Sequence, residues 1–271
     1  TEFPLSYFLD LAYDYEKFSA EEFTVAEYTR KWVDRQFALL TDEQKKRIEK
    51  IIDGYTKISH KRRTEALQPD TYHAENFGEA DELLCKAQKI INECIELKPQ
   101  IPAEAQEVFF QQVYMPAVGN MNVVKMQLLQ GKNRWYASKG IYAANKYPAL
   151  IKECLDFDKA LVEEEDRIAD GRWYAEGWSE HFGFTHWNEE ENMYPQYVTL
   201  AGTRKPRLIA WVSGTENTSS GLDWNRRPLF VNAFKNPLVE KTVINLASGG
   251  EHCVPFKIEC DKNWLSFNVT E

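Results

Sequence analysis

The feature that most constrains this chain is a change of period. Between residues 20 and 170 apolar side chains recur at the three-and-four spacing of helices, and after residue 200 that spacing disappears. "SAEE" sets Ser19 as a helix N-cap with Glu22 three residues on, ahead of the stripe Phe23, Ala26, Val33, Phe37, Leu40. Thr41 and Gln44 repeat the pattern and open a helix to about Ser59. Asn76 is expected to cap a third, whose stripe Ala80, Leu83, Leu84, Ala87, Ile90, Ile91, Cys94 keeps helical spacing. A fourth is expected to run from Pro102 to about Tyr147. Pro116 inside it offers no amide hydrogen, so a kink is expected there. A fifth runs from Pro148 to about Ala169, with Gly171 just past its end. Mostly short connections make these helices antiparallel neighbours in a bundle. The exception is residues 59–75, a loop long enough to carry function.

Beyond residue 200 the runs "RLIAWV", "PLFVNAF", "KTVINL", "CVPFKIEC" and "NWLSFNV" read as strands, separated by turn formers such as "SGTENTSSG" and "ASGG". In the fourth, Val254, Phe256, Ile258 and Cys260 alternate with Pro255, Lys257 and Glu259, the pattern of a half-buried strand. The expected fold class is mainly α: a five-helix bundle followed by a partial β-sandwich-like domain. The expected organisation is residues 1–18 as a leading segment, 19–172 as the bundle, 173–200 as an aromatic-rich junction and 201–271 as the β-domain.

Charge narrows the partners. The net charge is −9, with 24 basic and 35 acidic residues up to residue 200 and 9 and 7 after it. Neither part has the positive balance that nucleic acid requires. Lys61-Arg62-Arg63, a short basic run, reads as a solvated turn. No apolar run approaches the roughly 20 residues that span a bilayer, so no membrane partner is expected. The five cysteines, Cys85, Cys94, Cys154, Cys253 and Cys260, show no CxxC spacing. They read as mostly buried small apolar residues rather than a disulfide framework or zinc site.

Catalytic machinery is hard to find by motif. There is no G-x-S-x-G elbow, no G-x-G-x-x-G and no Walker pattern. The densest ring cluster is "GRWYAEGWSEHFGFTHWNEEENMY", residues 171–194. Its His181 and His186 stand five apart with no carboxylate motif around them, so no metal and no cofactor is expected. Rings stack on the apolar faces of sugars, which makes Trp178, His181, His186 and Trp187 the candidate carbohydrate contacts. The alternative for the segment is packing at a domain seam.

Particular residues carry a resemblance. "EFPLSYFLDLAYD" has Glu2, Pro4, Phe8, Leu9, Asp10 and Ala12 where glycoside hydrolase family 115, the xylan α-1,2-glucuronidases, has matching residues on leaving its catalytic barrel. Tyr7, Tyr13 and Asp14 depart from the family's Phe, Trp and Asn. "YTKISHKRRTEALQPDTY" is similar to a later family stretch through Tyr55, Lys57, Arg62, Arg63, Glu65, Pro69, Asp70, Thr71 and Tyr72. "YMPAVGNMN" and "GKNRWYASKG" resemble the family's long kinked helix at Tyr114, Pro116, Asn120, Asn122, Lys132, Asn133, Arg134 and Tyr136. The aromatic cluster resembles a further pattern through Gly171, Trp173, His181, Gly183, Thr185, Trp187, Asn192 and Pro195, and the β-region follows more loosely.

The resemblance implies an inverting glycosidase that removes glucuronic acid or its 4-O-methyl form from xylan. Inversion needs two carboxyls roughly 6.5–9.5 Å apart with a water between them. In the family these lie in the barrel, and no residue of this chain matches them. The chain is therefore expected to be a non-catalytic fragment, inactive alone, that buttresses the barrel and helps shape the cleft. Its implied partners are xylan or xylo-oligosaccharide through the intact enzyme, the catalytic barrel and a second copy. The implied location is periplasmic or extracellular. Two rivals belong to other classes: a stand-alone carbohydrate-binding module, and a structural or oligomerisation helical module.

Overall fold

A computed structural model of the chain describes residues 2–19, 23–178, 195–220 and 228–269, with backbone only for Ser19, Glu65 and Trp178. The protein is mainly α with a partial antiparallel sheet. It divides into two compact units that do not follow chain order. The first comprises Thr1–Thr71, Asp81–Leu128 and Ile151–Pro195; the second comprises Tyr72–Ala80, Leu129–Leu150 and Gln196–Glu271.

The first unit is helical. Its leading segment forms α1 (Glu2–Tyr13) and α2 (Tyr15–Ser19). Phe3 sets its ring edge-on to Trp32, with centroids 5.3 Å apart, and Tyr7 does the same to Tyr28 at 4.8 Å. Tyr28 donates its hydroxyl to Asp10 at 2.7 Å. Burial, with the Asp10 carboxylate beside it, pushes that phenol up to about 12. The next helix, α3 (Val25–Gln36), is capped by Thr24, whose hydroxyl accepts the Glu27 amide at 3.1 Å. Ser19 is therefore not its cap but the last residue of α2, and Glu22 lies outside the described residues. The cap falls instead at the start of the next pattern, Thr24 to Glu27.

The expected box at Thr41 forms. In α4 (Asp42–Lys61) the Thr41 hydroxyl accepts the Gln44 amide at 3.3 Å, and the Gln44 side chain accepts the Thr41 amide at 3.0 Å. Lys61, Arg62 and Arg63 are exposed at its end. Helix α5 (Glu79–Leu97) starts later than the Asn76 cap predicted. Phe77 at φ 58° and Gly78 at φ 65° put a left-handed turn between them.

The fourth helix is split. After α6 (Ala103–Phe109), a π-turn over Phe110–Tyr114 leads into α7 (Met115–Ser138). The Met115 amide reaches five residues back to the Phe110 carbonyl. This wide turn is the form that the disruption at Pro116 takes, because proline supplies no donor for the ordinary ladder. α7 stops at Ser138, well short of Tyr147. Gly140 adopts φ 70°, its amide bonds to Ala137 O at 2.9 Å and the Ile141 amide to Tyr136 O at 3.0 Å, a Schellman ending. The last long helix is α8 (Tyr147–Glu165). Trp32, Phe37, Ile48, Ile52, Phe109, Met121 and Ile151 are essentially fully buried.

The second unit carries β1 (Leu208–Val212), β2 (Thr218–Ser220) and β3 (Ile244–Ser248) in the order β2-β1-β3, antiparallel throughout. The runs "RLIAWV" and "KTVINL" hold β1 and most of β3. β2 falls within the expected turn "SGTENTSSG". "PLFVNAF" instead contains a 3-10 turn at Asn232–Lys235, between Pro228 and Pro237, which have no ladder donors. "CVPFKIEC", with Pro255 at its centre, joins no ladder among the described residues; its alternation holds to Glu259, with Val254, Phe256 and Ile258 half-buried and Pro255, Lys257 and Glu259 exposed, but Cys260, expected on the inner face, is exposed. "NWLSFNV" bends at once and leaves Trp264 69% exposed. The unit's core is Ile141, Ile209 and Trp211, against which Trp135, Tyr136 and Ala247 pack.

Side-chain amides replace a ladder along residues 196–200. Gln130 donates to Gln196 O at 2.7 Å. Asn133 takes both backbone groups of Val198, at 2.8 and 2.7 Å, and Asn145 takes both of Leu200, at 2.8 and 2.7 Å. Asn133 is fully buried and also donates to Ala144 O at 3.0 Å. Asn133→Ala strips these bonds together and is expected to cost about 3 kcal/mol, read by urea unfolding.

All five cysteines are free thiols. The expectation that most are buried fails: Cys94 and Cys154 are buried, but Cys85, Cys253 and Cys260 are exposed. Cys85 sits on the solvent side of an amphipathic helix, and the other two on a segment that no second layer covers among the described residues. Burial pushes the Cys94 thiol up to about 12 and raises that of Cys154. Iodoacetamide is expected to label three cysteines in the native protein and all five in denaturant, counted by mass spectrometry.

Candidate functional site

The candidate contacts inferred from the aromatic cluster, His181, His186 and Trp187, lie outside the described residues, as does the side chain of Trp178. The described start of that segment is structural. Arg172 and Trp173 both donate to Glu107, at 2.7 and 3.1 Å.

A polar and aromatic group lies in the second unit, where the loop at 72–76 meets the end of α7. Lys132 is 4% exposed. Its ammonium donates to Ala74 O at 2.8 Å, stands 3.7 Å from Glu75 and lies over the Tyr136 ring. Tyr136 gives its hydroxyl to Glu75 and stacks on Tyr147 at 5.7 Å. The charge and the ring, four residues apart on one face of α7, thus clamp the loop to the helix through its carboxylate.

The clamp positions His73. Its Nδ1 accepts the amides of Glu75 and Asn76, at 3.1 and 2.8 Å. With Nδ1 an acceptor, the neutral ring carries its hydrogen on Nε2, which donates to Glu216 Oε1 at 3.1 Å. Glu216 belongs to the loop that joins β1 to β2. Lys139 donates to its Oε2 at 2.7 Å, and Trp135 Nε1 to its Oε1 at 3.5 Å. Lys139 also lies 4.6 Å over the Trp135 ring, and Trp135 packs on Trp211 at 5.7 Å. The Lys139 ammonium, with His73 and Trp135 beside it, holds the Glu216 carboxyl below its ordinary range. The Trp211 indole N–H is buried, with no hydrogen-bond acceptor among the described residues.

The group is suited to holding an anion and not to exchanging protons. Its carboxylates are occupied by cations and donors, and the Glu216 carboxyl is lowered, away from the range that a general acid needs. Among the described residues no three His, Cys, Asp or Glu side chains are grouped to hold a metal ion. No described helix is long and apolar enough to cross a membrane.

The helical leader also bears on relationship, because Asp10 and its neighbours build the ring nest against α3. Residues 1–66 match the model of glycosyl hydrolase family 115. Over that stretch the chain is similar to the glycoside hydrolases. No curated protein matches the chain. Within the matched stretch Pro69 and Tyr72 are not included, so the loop that carries His73 lies beyond the family match. Sequence reading marked that loop and "GKNRWYASKG" separately, but gave Trp135, Lys139 and Glu216 no role. Nothing local in the sequence marks Glu216, which is one acid among 42.

A lowered carboxyl contributes its full stability above the ordinary value of 4.5 and loses it as the pH falls through the lower, folded value. Glu216→Gln is therefore expected to melt below wild type at neutral pH, by at most about 1 kcal/mol for so exposed a partner. In scans below pH 4.5 the difference is expected to shrink away.

Proposed function

We propose that the chain is the non-catalytic helical part of a glycoside hydrolase that removes glucuronic acid, or its 4-O-methyl form, from xylan. The observation that carries this reading is an apolar helix face inside the family match. On α1, Leu5, Phe8, Leu9 and Tyr13 are 53%, 62%, 54% and 95% exposed, at the spacing of one helical stripe. Exposed apolar patches of this kind mark surfaces that another protein covers. The occupant in this reading is the catalytic barrel, which α1 buttresses while the inner face of the helix is anchored by Phe3 and Tyr7. In this reading xylan is met through the intact enzyme, outside the cytoplasm, the helical bundle helps shape its cleft, and Trp178, His181, His186 and Trp187 are the candidate carbohydrate contacts.

The test is release of (4-O-methyl)-glucuronic acid from glucuronoxylan. The 271-residue chain alone is expected to release none, and the enzyme containing it to release the acid. Phe8→Asp with Leu9→Asp is expected to leave the helical signal unchanged and to weaken association with the barrel by tenfold or more, on the order of 1.4 kcal/mol. Hydrolysis by the chain alone overturns the non-catalytic role; an inactive intact enzyme overturns the assignment to glucuronoxylan.

A further inference from the structure

We propose that His73, Trp135 and Lys139 form a receptor for the carboxylate of a uronic acid, occupied in the free protein by the tethered carboxylate of Glu216. The proposal rests on the glucuronic-acid reading above for its choice of sugar. Its geometry stands independently.

Three N–H donors from two segments converge on one carboxylate. His73 Nε2 and Trp135 Nε1 reach Oε1 at 3.1 and 3.5 Å, and Lys139 Nζ reaches Oε2 at 2.7 Å. Each donor is held by something other than Glu216. The Glu75 and Asn76 amides fix the His73 ring. Tyr136 and Trp211 pack edge-on to Trp135, at 5.2 and 5.7 Å. Lys139 directly follows α7 and rests over the Trp135 ring. The receptor is thus preorganised whether or not Glu216 is in place.

Glu216 is the looser side of the contact. It sits in the exposed loop between β1 and β2, which turns at Gly214 (φ 76°), and its side chain is 66% exposed. Lys139, by contrast, is 6% exposed, and an ammonium so enclosed needs an anion beside it. When the loop moves aside, a ligand carboxylate satisfies the same donors. Trp135 adds its indole N–H to that set, with Lys139 over its ring.

A tethered group on a short linker competes at an effective concentration in the millimolar range. Removing it exposes the receptor. The experiment titrates the full chain with sodium glucuronate, glucose and acetate, by calorimetry and tryptophan fluorescence. Glu216→Ala is expected to bind glucuronate about tenfold more tightly than wild type or better, with Glu216→Gln between them. Lys139→Met in the Glu216→Ala background is expected to abolish binding, and glucose to give none. Glu216→Gln keeps an acceptor oxygen for the loop, so it carries the test if the alanine variant fails to melt cooperatively. Absence of saturable binding in the folded variants overturns the proposal. So does equal affinity in wild type and variants, or a response to acetate equal to that for glucuronate. Binding is read on the chain alone, so its failure leaves the hydrolase reading standing, and an inactive intact enzyme leaves the receptor standing.

Discussion

A buried ammonium must be paired, and the second unit is organised around that requirement at Lys132. Left uncompensated at 4% exposure, the charge would cost several kcal/mol. It is answered by the Ala74 carbonyl, the Glu75 carboxylate and the Tyr136 ring. Because the carbonyl and the carboxylate come from the 72–76 loop, satisfying Lys132 fixes the loop. The fixed loop turns its Glu75 and Asn76 amides onto His73, and His73 then presents Nε2 to the β1–β2 loop. One electrostatic demand in a helix thus sets the position of a residue on a hairpin.

The same logic explains why the motif residues read as a scaffold. Asp10 accepts the Tyr28 hydroxyl, Asn122 donates to Cys154 O, and Asn133 holds Val198 and Ala144. Each joins segments distant in sequence through a buried or half-buried polar contact. Such contacts are costly to leave unmade, because the desolvated partner has no water to turn to. A polar residue can therefore be demanded by the fold alone. That makes these positions poor evidence for catalysis and good evidence for a helical framework on which a site is mounted.

Legibility followed the range of the interaction. Thr41 and Gln44 were readable because a capping box closes within three residues, and β1 because its branched and aromatic run leaves few alternatives. Asn76 misled because the left-handed Phe77 and Gly78 delay α5, and proline-bracketed "PLFVNAF" misled because β-propensity cannot supply missing donors. β2 was hidden because Thr218–Ser220 is a strand only by virtue of pairing with Ile209–Trp211. The anion-holding group was half visible. The loop and the α7 terminus each drew notice, but their meeting and the part played by Glu216 did not.

What the sequence by itself determined is the mainly helical character, the capping of α4, the sheet-forming runs at 208–212 and 244–248, and a likeness to a glycoside hydrolase family. Only the tertiary structure decided that residues 72–80, 129–150 and 196–271 form one unit, and that His73, Trp135, Lys139 and Glu216 share one carboxylate. The reason is physical. Periodicity, caps and turns are satisfied within a few residues and leave a local mark. Pairing a buried charge, a carboxylate or an unladdered backbone segment draws on partners 55 to 143 residues away, and no local pattern encodes which ones they are.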